Sequence, residues 1–425
     1  MSITFDRFMS EGAKAGRGGS TRSYRRRVIT SASVALAMTA PGQTAGISVF
    51  VDPLITSLHV SRSSVATAYL IGSLAGAVAM PLLGKGLDRF GPRRVMAVIG
   101  CCFGSILLAA GTATEIVGLT AAFVGIRIGG QGALSLVATT TVAVYVQQRK
   151  GFATGVVSAI GTSAISLAPL VLERLIGELG WRTAWQLEGC AVLALTVPAA
   201  LLVLPRRVRA EEDATASLST VEAGPALATA DWTLRRVSRT AVFWVVISGA
   251  GVCSLVTTAL TFHQVSLLGE RGLDVAEAAA NFIPQLIAGL FASFLVGWLS
   301  DHISDRALTI AIMAILALTT ISAAWVRPGW AAIGYGLALG ACTGGVRTLK
   351  AVVFIDRFGP HHLGALRGVV HSVIIGASAL GPLVLALGRT WFDSYQCALA
   401  VLCSLPLLVI AAACTTRPPA RRHHA

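Results

Sequence analysis

The sequence predicts an all-α integral membrane protein of about twelve transmembrane helices, arranged as two pseudo-symmetric bundles of six. Three observations carry this prediction: the composition, the spacing of the apolar runs and a repeat within the chain. Of the 425 residues, 54% are hydrophobic and 13% are charged, and the mean hydropathy is +0.73. Soluble domains contain about a quarter charged residues. A chain of this size can bury so much apolar surface only in a membrane.

Apolar runs follow one another along the chain, each near the roughly 20 residues that a spanning helix needs. They fall into two sets of six, separated by a long polar segment rich in Arg, Glu, Ala, Ser and Thr. The expected organisation is a tail at residues 1–27, a first bundle at 28–204, a central loop at 205–240, a second bundle at 241–414 and a tail at 415–425.

Lys and Arg predict the orientation. If the N-terminus lies in the cytoplasm, 25 of the 34 basic residues fall on the cytoplasmic side and six on the opposite side. Basic residues are enriched on the cytoplasmic side of membrane proteins. We therefore expect both termini in the cytoplasm and a multi-pass protein of the cell inner (plasma) membrane.

The net charge of +14 is accounted for by this bias, because the basic residues come in short bursts between apolar runs. No stretch interleaves aromatic and basic residues as a nucleic-acid surface would. The expected partners are a small-molecule substrate, protons and the lipid bilayer, with no nucleic acid, and we expect the protein to function as a monomer.

The two bundles repeat residues at a single spacing. A parallel repeat of two six-helix units, with a substrate site between them near the membrane midplane, would produce such matches. The pairs, each 213 residues apart, are Gly84 and Gly297, Asp88 and Asp301, Gly151 and Gly364, Gly155 and Gly368, and Pro169 and Pro382.

Catalytic and metal-binding patterns do not stand out. All eight cysteines fall inside apolar runs, without a Cys-x-x-Cys pair or a Cys/His spacing suited to zinc. No phosphate-binding loop or catalytic triad is visible. We therefore expect no enzyme activity, no metal and no cofactor, and a transport cycle driven by ion or solute gradients.

A loop motif follows the second apolar run. The residues Gly84-Lys-Gly-Leu-Asp88-Arg89-Phe-Gly91-Pro-Arg93-Arg94 resemble the G-x-L-x-D-R-x-G-R-R loop of the major facilitator superfamily. A weaker copy runs from Gly297 through Asp301 to Arg306, and Arg127-Ile-Gly-Gly-Gln-Gly132 is similar to the superfamily's R-x-x-x-G segment. The resemblance covers nearly the whole chain and implies secondary transport by alternating access.

Within the superfamily, two segments resemble the bacterial monocarboxylate and oxalate/formate branch. One runs from Pro41-Gly-Gln43 to Asp52-Pro53-Leu in the first span, and the other is Phe262-His263-Gln-Val-Ser-Leu-Leu at the exit of the seventh. The resemblance implies a small organic anion as substrate.

The loop motif also predicts a gating latch. An Asp at the end of one helix can pair with Arg or with the N-terminus of a neighbouring helix in one state and release it in another. The alternative for the arginines is that they only set the topology. The candidate latch residues are Gly84, Asp88, Arg89, Arg93, Asp301 and Arg306.

Cations inside the spans predict an anion site, because a charge near the bilayer centre is costly and is usually functional. Arg127 lies about eleven residues into its span, and Arg347 and Lys350 lie one turn apart in the tenth. Gln43 follows Pro41-Gly42, which should break or bend the first span and free backbone groups. The candidate substrate residues are Arg347, Lys350, Arg127, Gln43 and His263.

Three residues are candidates for carrying a coupled proton: His371, Glu188 and His263. A histidine changes charge near neutral pH, and an intramembrane carboxyl can be protonated when it is desolvated. Structural alternatives stay open for most of these side chains: Arg127 bonded to backbone carbonyls, Lys350 extended to the interface, Gln43 satisfied by a neighbouring helix, and packed histidines.

The leading functional hypothesis is a transporter of a small monocarboxylate-like anion that works by proton coupling or exchange. The alternative is an efflux transporter for a hydrophobic drug or metabolite, which the scarcity of buried acids permits. An aromatic cavity with Arg347 turned away from it would favour efflux.

Overall fold

The structure is a computed structural model that describes residues 23–146, 150–205, 241–300, 302–358 and 363–415, with the side chains of residues 150, 241–243 and 350–372 left out. Within these ranges the fold is all helical, as predicted. The N-terminal part contains α1 (Ser23–Ser48), α2 (Val51–Leu58), α3 (Arg62–Ala110), α4 (Ile116–Tyr145) and α5 (Lys150–Pro198). The C-terminal part contains α6 (Ala241–Phe262), α7 (Gln264–Gly269), α8 (Val275–Ala280), α9 (Phe282–Ser300), α10 (Asp305–Ser322), α11 (Trp330–Phe358), α12 (Leu363–Phe392) and α13 (Tyr395–Thr415).

Helices α3 and α5 are each 49 residues long, which would reach about 74 Å if they were straight. That is more than twice the roughly 30 Å of the hydrocarbon core. Each contains one glycine with a positive φ, Gly91 at 76° and Gly180 at 80°, a conformation that favours glycine. Each helix therefore turns back at its glycine. We call the two membrane surfaces the Gly91 face and the Gly180 face.

In the described residues, eight helices are long and apolar enough to cross a membrane, or nine if the bent pair α1–α2 is one span. Two of the eight are the long segments that turn at Gly91 and Gly180, Arg62–Ala110 with 49 residues and Gly151–Val203 with 53. The multi-pass helical architecture is confirmed, and the number twelve stays a prediction.

The first span is interrupted where Pro41-Gly42 predicts a break. A 3₁₀ turn occupies Ala40–Gly42, and Gln43 is extended at φ −86° and ψ 152°. The largest bend, 71°, lies further on, between Ser48 and Val51. The predicted break is confirmed, and the main change of direction lies about two turns beyond it.

The first helix begins earlier than the sequence indicates. The predicted tail runs to residue 27, whereas α1 begins at Ser23. Arg27 lies within the helix, and its Nη2 donates to the Leu202 carbonyl at 2.9 Å. A basic side chain that binds carbonyls at the end of a neighbouring helix is stabilised there, so the helix extends past the apolar run.

Local geometry recurs at the 213-residue spacing. His59 and Gly272, which follow the first and seventh spans, both have positive φ angles. Ser61 and Asp274 both cap the next helix by accepting from the backbone N–H three residues on. Two further bonds repeat the pattern: Arg93 donates to the Leu201 carbonyl, and Arg306 donates to the Cys414 carbonyl. These correspondences support the predicted division into two bundles.

Glycine permits close helix packing in residues 129–133 and 340–345. A Cβ on Gly42 would lie 2.6 Å from the Gly130 Cα, and one on Gly344 would lie 2.0 Å from the Gly289 carbonyl oxygen. Real Cβ atoms do not approach backbone so closely, and small residues let membrane helices meet in this way.

Candidate functional site

Arg127 is a buried cation at the start of a π-helical turn, Arg127–Leu134, within α4. Only 1% of the residue is exposed. Its Nε donates to the Ser73 hydroxyl at 2.9 Å, and its Nη1 donates to the Gly42 carbonyl at 2.8 Å. The Nη2 atom is buried and has no hydrogen-bond partner in the described part of the chain. The guanidinium therefore keeps one donor group available.

No described carboxylate forms an ion pair with this guanidinium. The guanidinium instead forms a cation–π contact with Tyr69, whose ring centroid lies 4.4 Å from the Arg127 Cζ. A cation over a ring face is stabilised by about 0.5–2 kcal/mol, less than a buried charge costs to desolvate. An anion is the ligand that this environment would accommodate best.

Helix α1 supports the site through its break. Because of the 3₁₀ turn, the Gly42 carbonyl does not form a regular helical hydrogen bond, and it accepts a hydrogen bond from Arg127 instead. Gln43, the next residue, is partly buried, and its Nε2 donates to the Thr39 hydroxyl at 3.3 Å. The structure thus brings Gln43 close to Arg127 through Gly42. The sequence also allowed a purely structural Arg127 bonded to backbone carbonyls, and one such bond, to Gly42, is present.

His263 lies at the junction of α6 and α7, and 1% of it is exposed. Its Nε2 lies 2.9 Å from the Pro382 carbonyl oxygen, and its ring lies 5.8 Å from that of Tyr395. The preceding residue, Phe262, packs edge-on against Tyr69 at 4.7 Å and so connects the two parts of the chain. His263 is therefore one residue away from the aromatic contact that leads to Arg127.

Glu188 lies on α5 beyond Gly180, and its Oε2 is buried without a hydrogen-bond partner among the described atoms. The Nε1 of Trp185, one turn earlier on the same helix, is also buried without a hydrogen-bond partner among the described atoms. The ring of Trp185 stacks on Phe50 at 5.0 Å. A carboxyl without a donor is more stable protonated than charged. Glu188 stays a candidate proton carrier, and the structure records no contact between it and Arg127.

The other predicted cations do not join this cluster. The Arg347 side chain is exposed and has no hydrogen bond or ion pair recorded with a described residue. Helix α11 contacts α9 near it, where the Ser293 hydroxyl donates to the Gly344 carbonyl at 3.2 Å. The side chains of Lys350 and His371 lie outside the described residues.

The candidate latch residues are arranged around the Gly91 face. Asp88 is exposed and forms no ion pair recorded in the described residues, and a Cβ on Gly84 would have open space around it. Arg89 lies 5.3 Å from the ring of Phe90. Asp301 lies outside the described residues. The described residues give Asp88 no ion-pair partner, and the latch stays a prediction.

Arg93 and Arg306 have the same role in their respective parts. Arg93 also donates from Nε to the Ala200 carbonyl at 3.2 Å, and Arg306 binds the Cys414 carbonyl at 2.6 Å. Each places a positive charge at the carboxyl end of a neighbouring helix, where the helix dipole favours it. These contacts hold helix ends together within each part of the chain.

A second polar cluster lies in the C-terminal part. Gln285 donates to the Gln264 side-chain oxygen at 2.8 Å and to that of Asn281 at 3.2 Å. Gln264 and Asn281 in turn donate to the backbone carbonyls of Ala278 and Ala332. Their donors are used by other helices, so the cluster acts as an interhelical connection.

A cavity of about 360 Å³ opens near the Gly180 face and includes no candidate site residue. Residues from both parts of the chain line it, with hydroxyls from Ser63, Ser64, Thr67 and Thr120 and an apolar contribution from Leu387. Thr67 and Thr120 donate to carbonyls of their own helices. The cavity lies apart from the Arg127 cluster.

Sequence reasoning missed Tyr69, Ser73 and Arg62. Tyr69 and Ser73 are four residues apart on α3, so they lie on one helix face, which is the only signal that pairs them. Arg62 pairs with Asp52 at the Gly180 face.

Comparisons with known proteins agree with this architecture. The family model of the Major Facilitator Superfamily matches residues 32–382. A probable nitrate/nitrite transporter, NarK2, of Mycobacterium tuberculosis is 27% identical over 346 residues, which cover 78% of this chain and 81% of the relative. An MFS-type efflux pump of Mycolicibacterium smegmatis is 25% identical over 285 residues, which cover 64% and 62%.

A solved structure shares the fold. The bacterial homologue of the human lysosomal transporter Spinster, in its inward-facing and occupied conformation, matches with a TM-score of 0.67 at 18% identity, over 92% of this chain and 94% of that one. These proteins do not test the monocarboxylate branch, which stays a prediction. Because the family model spans well over half of the residues, the chain belongs to the major facilitator superfamily and is a multi-pass membrane transporter, not an enzyme.

Proposed function

We propose that this transporter moves a small organic anion, of the monocarboxylate type, by alternating access with proton coupling or exchange. The observation that carries the proposal is the buried guanidinium of Arg127, which has no carboxylate partner among the described residues and one unused nitrogen, Nη2. A planar carboxylate matches the donors of a guanidinium.

The substrate contacts follow from the geometry of the Arg127 cluster. Ser73 and the Gly42 carbonyl hold the guanidinium plane, which leaves Nη2 for an oxygen of the ligand. Gln43, which follows Gly42 in the sequence, is the proposed second polar contact. Because Arg127 is closed off in this state, the ligand reaches it only when the helices around α1 part.

Chemistry and similarity both favour an anion over a neutral hydrophobe. The nitrate/nitrite name of the mycobacterial relative describes planar oxyanions, which share with a carboxylate the geometry that a guanidinium binds. The efflux name of the other relative supports the alternative, the export of a hydrophobic drug or metabolite. The experiment therefore includes a carboxylate, nitrate and a hydrophobic cation.

The proposal extends to the membrane, the orientation and the oligomeric state of the protein. We propose that the protein lies in the inner (plasma) membrane with the Gly91 face and both termini in the cytoplasm, and that it functions as a monomer. The excess of Lys and Arg on that side supports this orientation. Asp88 would then engage its latch partner when the Gly91 face closes, while Arg347, Lys350 and His371 would lie on the cytoplasmic route.

The test is uptake into proteoliposomes that contain the purified protein, with an imposed pH gradient. Labelled lactate, nitrate and a fluorescent hydrophobic cation are the three probes. We expect lactate uptake, and in Arg127→Lys an apparent affinity lower by about ten- to hundredfold, since a charge-assisted hydrogen bond contributes about 1.5–3 kcal/mol.

Arg174→Gln is the matched control, because Arg174 is an exposed arginine of the same part of the chain. It should leave uptake unchanged. Thermal unfolding of each variant without ligand separates lost binding from lost folding. Transport of nitrate alone would change the substrate to an inorganic oxyanion, and transport of the hydrophobic cation alone would replace the anion proposal with efflux.

A further inference from the structure

The side chain of His263 has one hydrogen-bonded nitrogen and one that is not. Its Nε2 is bonded to the Pro382 carbonyl oxygen, which can only accept, so Nε2 carries the hydrogen. The other nitrogen, Nδ1, is then a lone-pair acceptor. It is buried and has no partner among the described residues. His263 is therefore held neutral, with its basic nitrogen ready to take a proton.

Arg62 has a buried donor nitrogen without a partner among the described residues. It begins α3 at the Gly180 face, where its Nη2 pairs with Asp52, while its Nη1 is buried and has no partner in the described parts. Arg62 lies two turns before Tyr69 on α3, and Tyr69 packs against Phe262, the residue before His263. An unpaired donor of one part and an unpaired acceptor of the other are thus both tied to the Tyr69–Phe262 contact.

We propose that His263 is a proton-binding site that controls opening of the transporter on the Gly180 face, with Arg62 as the opposing charge. In this structure the two parts are in contact there, as the Tyr69–Phe262 pair shows. A proton that binds Nδ1 produces an imidazolium that is buried without a described carboxylate partner. Burial disfavours this charge, and the like charge of Arg62 in the same region adds to the cost, so the closed arrangement loses stability.

The surrounding groups do not compensate for the added charge. Tyr395 on α13 faces the imidazole ring, and its hydroxyl is bonded to Ser266 at 2.9 Å. Arg389 on α12 is occupied by Glu270, at 2.8 Å, and by Asp393. Asp52 is the nearest acid on the N-terminal side, and it already binds Arg62. No described carboxylate is paired with His263.

This inference deepens the proposed function and rests on it for its physiological meaning. The state that binds the proton better is populated at the expense of the other. Opening toward the Gly180 face exposes His263 to water and allows it to be protonated. Its neighbour Phe262 contacts Tyr69, whose ring lies under Arg127. Proton binding and the anion site would then share one contact between the two parts.

The experiment measures a distance on the Gly180 face in the absence of substrate, so its failure is distinguishable from failure of the anion proposal. Spin labels are placed at Thr56→Cys and Trp391→Cys, two exposed positions on different parts of the chain. The full-length protein carries serine in place of its five exposed cysteines, which are Cys101, Cys102, Cys190, Cys397 and Cys414.

A histidine exposed to water titrates near pH 6.5. If only the open state takes the proton, the ratio of open to closed molecules should rise about tenfold between pH 7.5 and pH 5.5. In His263→Gln the ratio should be the same at both pH values, because the amide still donates to Pro382 but cannot titrate. The matched control is His59→Asn, an exposed histidine of the same face whose positive φ asparagine tolerates; it should keep the full response.

A pH response that persists unchanged in His263→Gln, or a wild-type protein whose distance does not depend on pH, would overturn the proposal. Should His263→Gln fail to fold, Arg62→Gln gives an independent answer. Removal of the guanidinium leaves Asp52 to attract the imidazolium, so acid should open the Gly180 face less than in the wild type. An undiminished acid response in Arg62→Gln would equally refute the role of Arg62.

Discussion

The guanidinium of Arg127 binds two distant helices and is the group to which we assign the anion. Its depth was predictable, because about eleven residues separate it from the start of its apolar run. Its partners were not, since Ser73 and Gly42 lie 54 and 85 residues away in the sequence and reach it only after the helices pack. Hydrogen bonds between distant helices leave no local pattern, so the sequence predicts a buried cation and not the groups that orient it.

Replacing Ser73 by alanine tests this orientation without removing the charge. Ser73→Ala leaves the Nε of Arg127 without its acceptor, and we expect a loss of about 1–2 kcal/mol in unfolding free energy together with weaker anion binding. Ser404→Ala is the control, because the Ser404 hydroxyl bonds only its own helix at Val401. Chemical unfolding in detergent measures both variants, and equal stabilities would argue that Ser73 contributes nothing to the cluster.

At the scale of single elements, the first span is interrupted twice, and a proline accompanies each interruption. Pro41-Gly42 lacks one backbone donor and one side chain, so a loss of regular helix there follows from the residues alone. The 71° bend lies at Val49 and Phe50, four and three residues before Pro53. Pro53 has no N–H to donate to the Val49 carbonyl and its ring crowds that carbonyl, which breaks the helix there, and Phe50 stacks on Trp185 of another helix. Gly42 owes its place to the same kind of constraint, since only glycine fits against Gly130.

The variant Gly42→Ala should therefore destabilise the protein by about 1–3 kcal/mol, in the range measured for overpacked cores. The added Cβ would meet the Gly130 Cα at 2.6 Å and the Ile126 carbonyl oxygen at 2.7 Å, and both are backbone atoms that cannot move aside. Gly155→Ala is the matched control, because a Cβ there has nothing within 4 Å. Thermal unfolding should separate the two, and equal melting temperatures would contradict the close approach of α1 and α4.

At the scale of the whole molecule, the repeat was the part of the fold that the sequence predicted best. Five residue matches at one spacing indicated it, and the structure adds bonds of equivalent geometry, of which Arg93–Leu201 and Arg306–Cys414 are the clearest pair. The departures from the repeat are as informative. The position equivalent to Arg127 is Gly340, which packs against the Gln285 backbone. The second bundle therefore has no counterpart of Arg127 at the equivalent position, although the two bundles correspond elsewhere.

Alternating access requires the two parts to separate where they now touch. Tyr69 and Phe262 mark that contact, with ring centroids 4.7 Å apart. In a protein whose exposed cysteines are replaced by serine, Tyr69→Cys combined with Phe262→Cys should be joined by a short thiol-reactive linker. The linked protein should stop transporting, because the Gly180 face can no longer open, and cleavage of the linker should restore transport.

Either single-cysteine variant, treated with the same linker, controls for the loss of each aromatic ring and should keep the rate that it has before treatment. Cleavage of the linker distinguishes a blocked cycle from a damaged site, because only a blocked cycle recovers its transport. Full cross-linking with undiminished transport would show that these two parts do not separate at Tyr69 and Phe262. The cycle would then have to run through a different interface, and the proton site at His263 would lose the movement on which it acts.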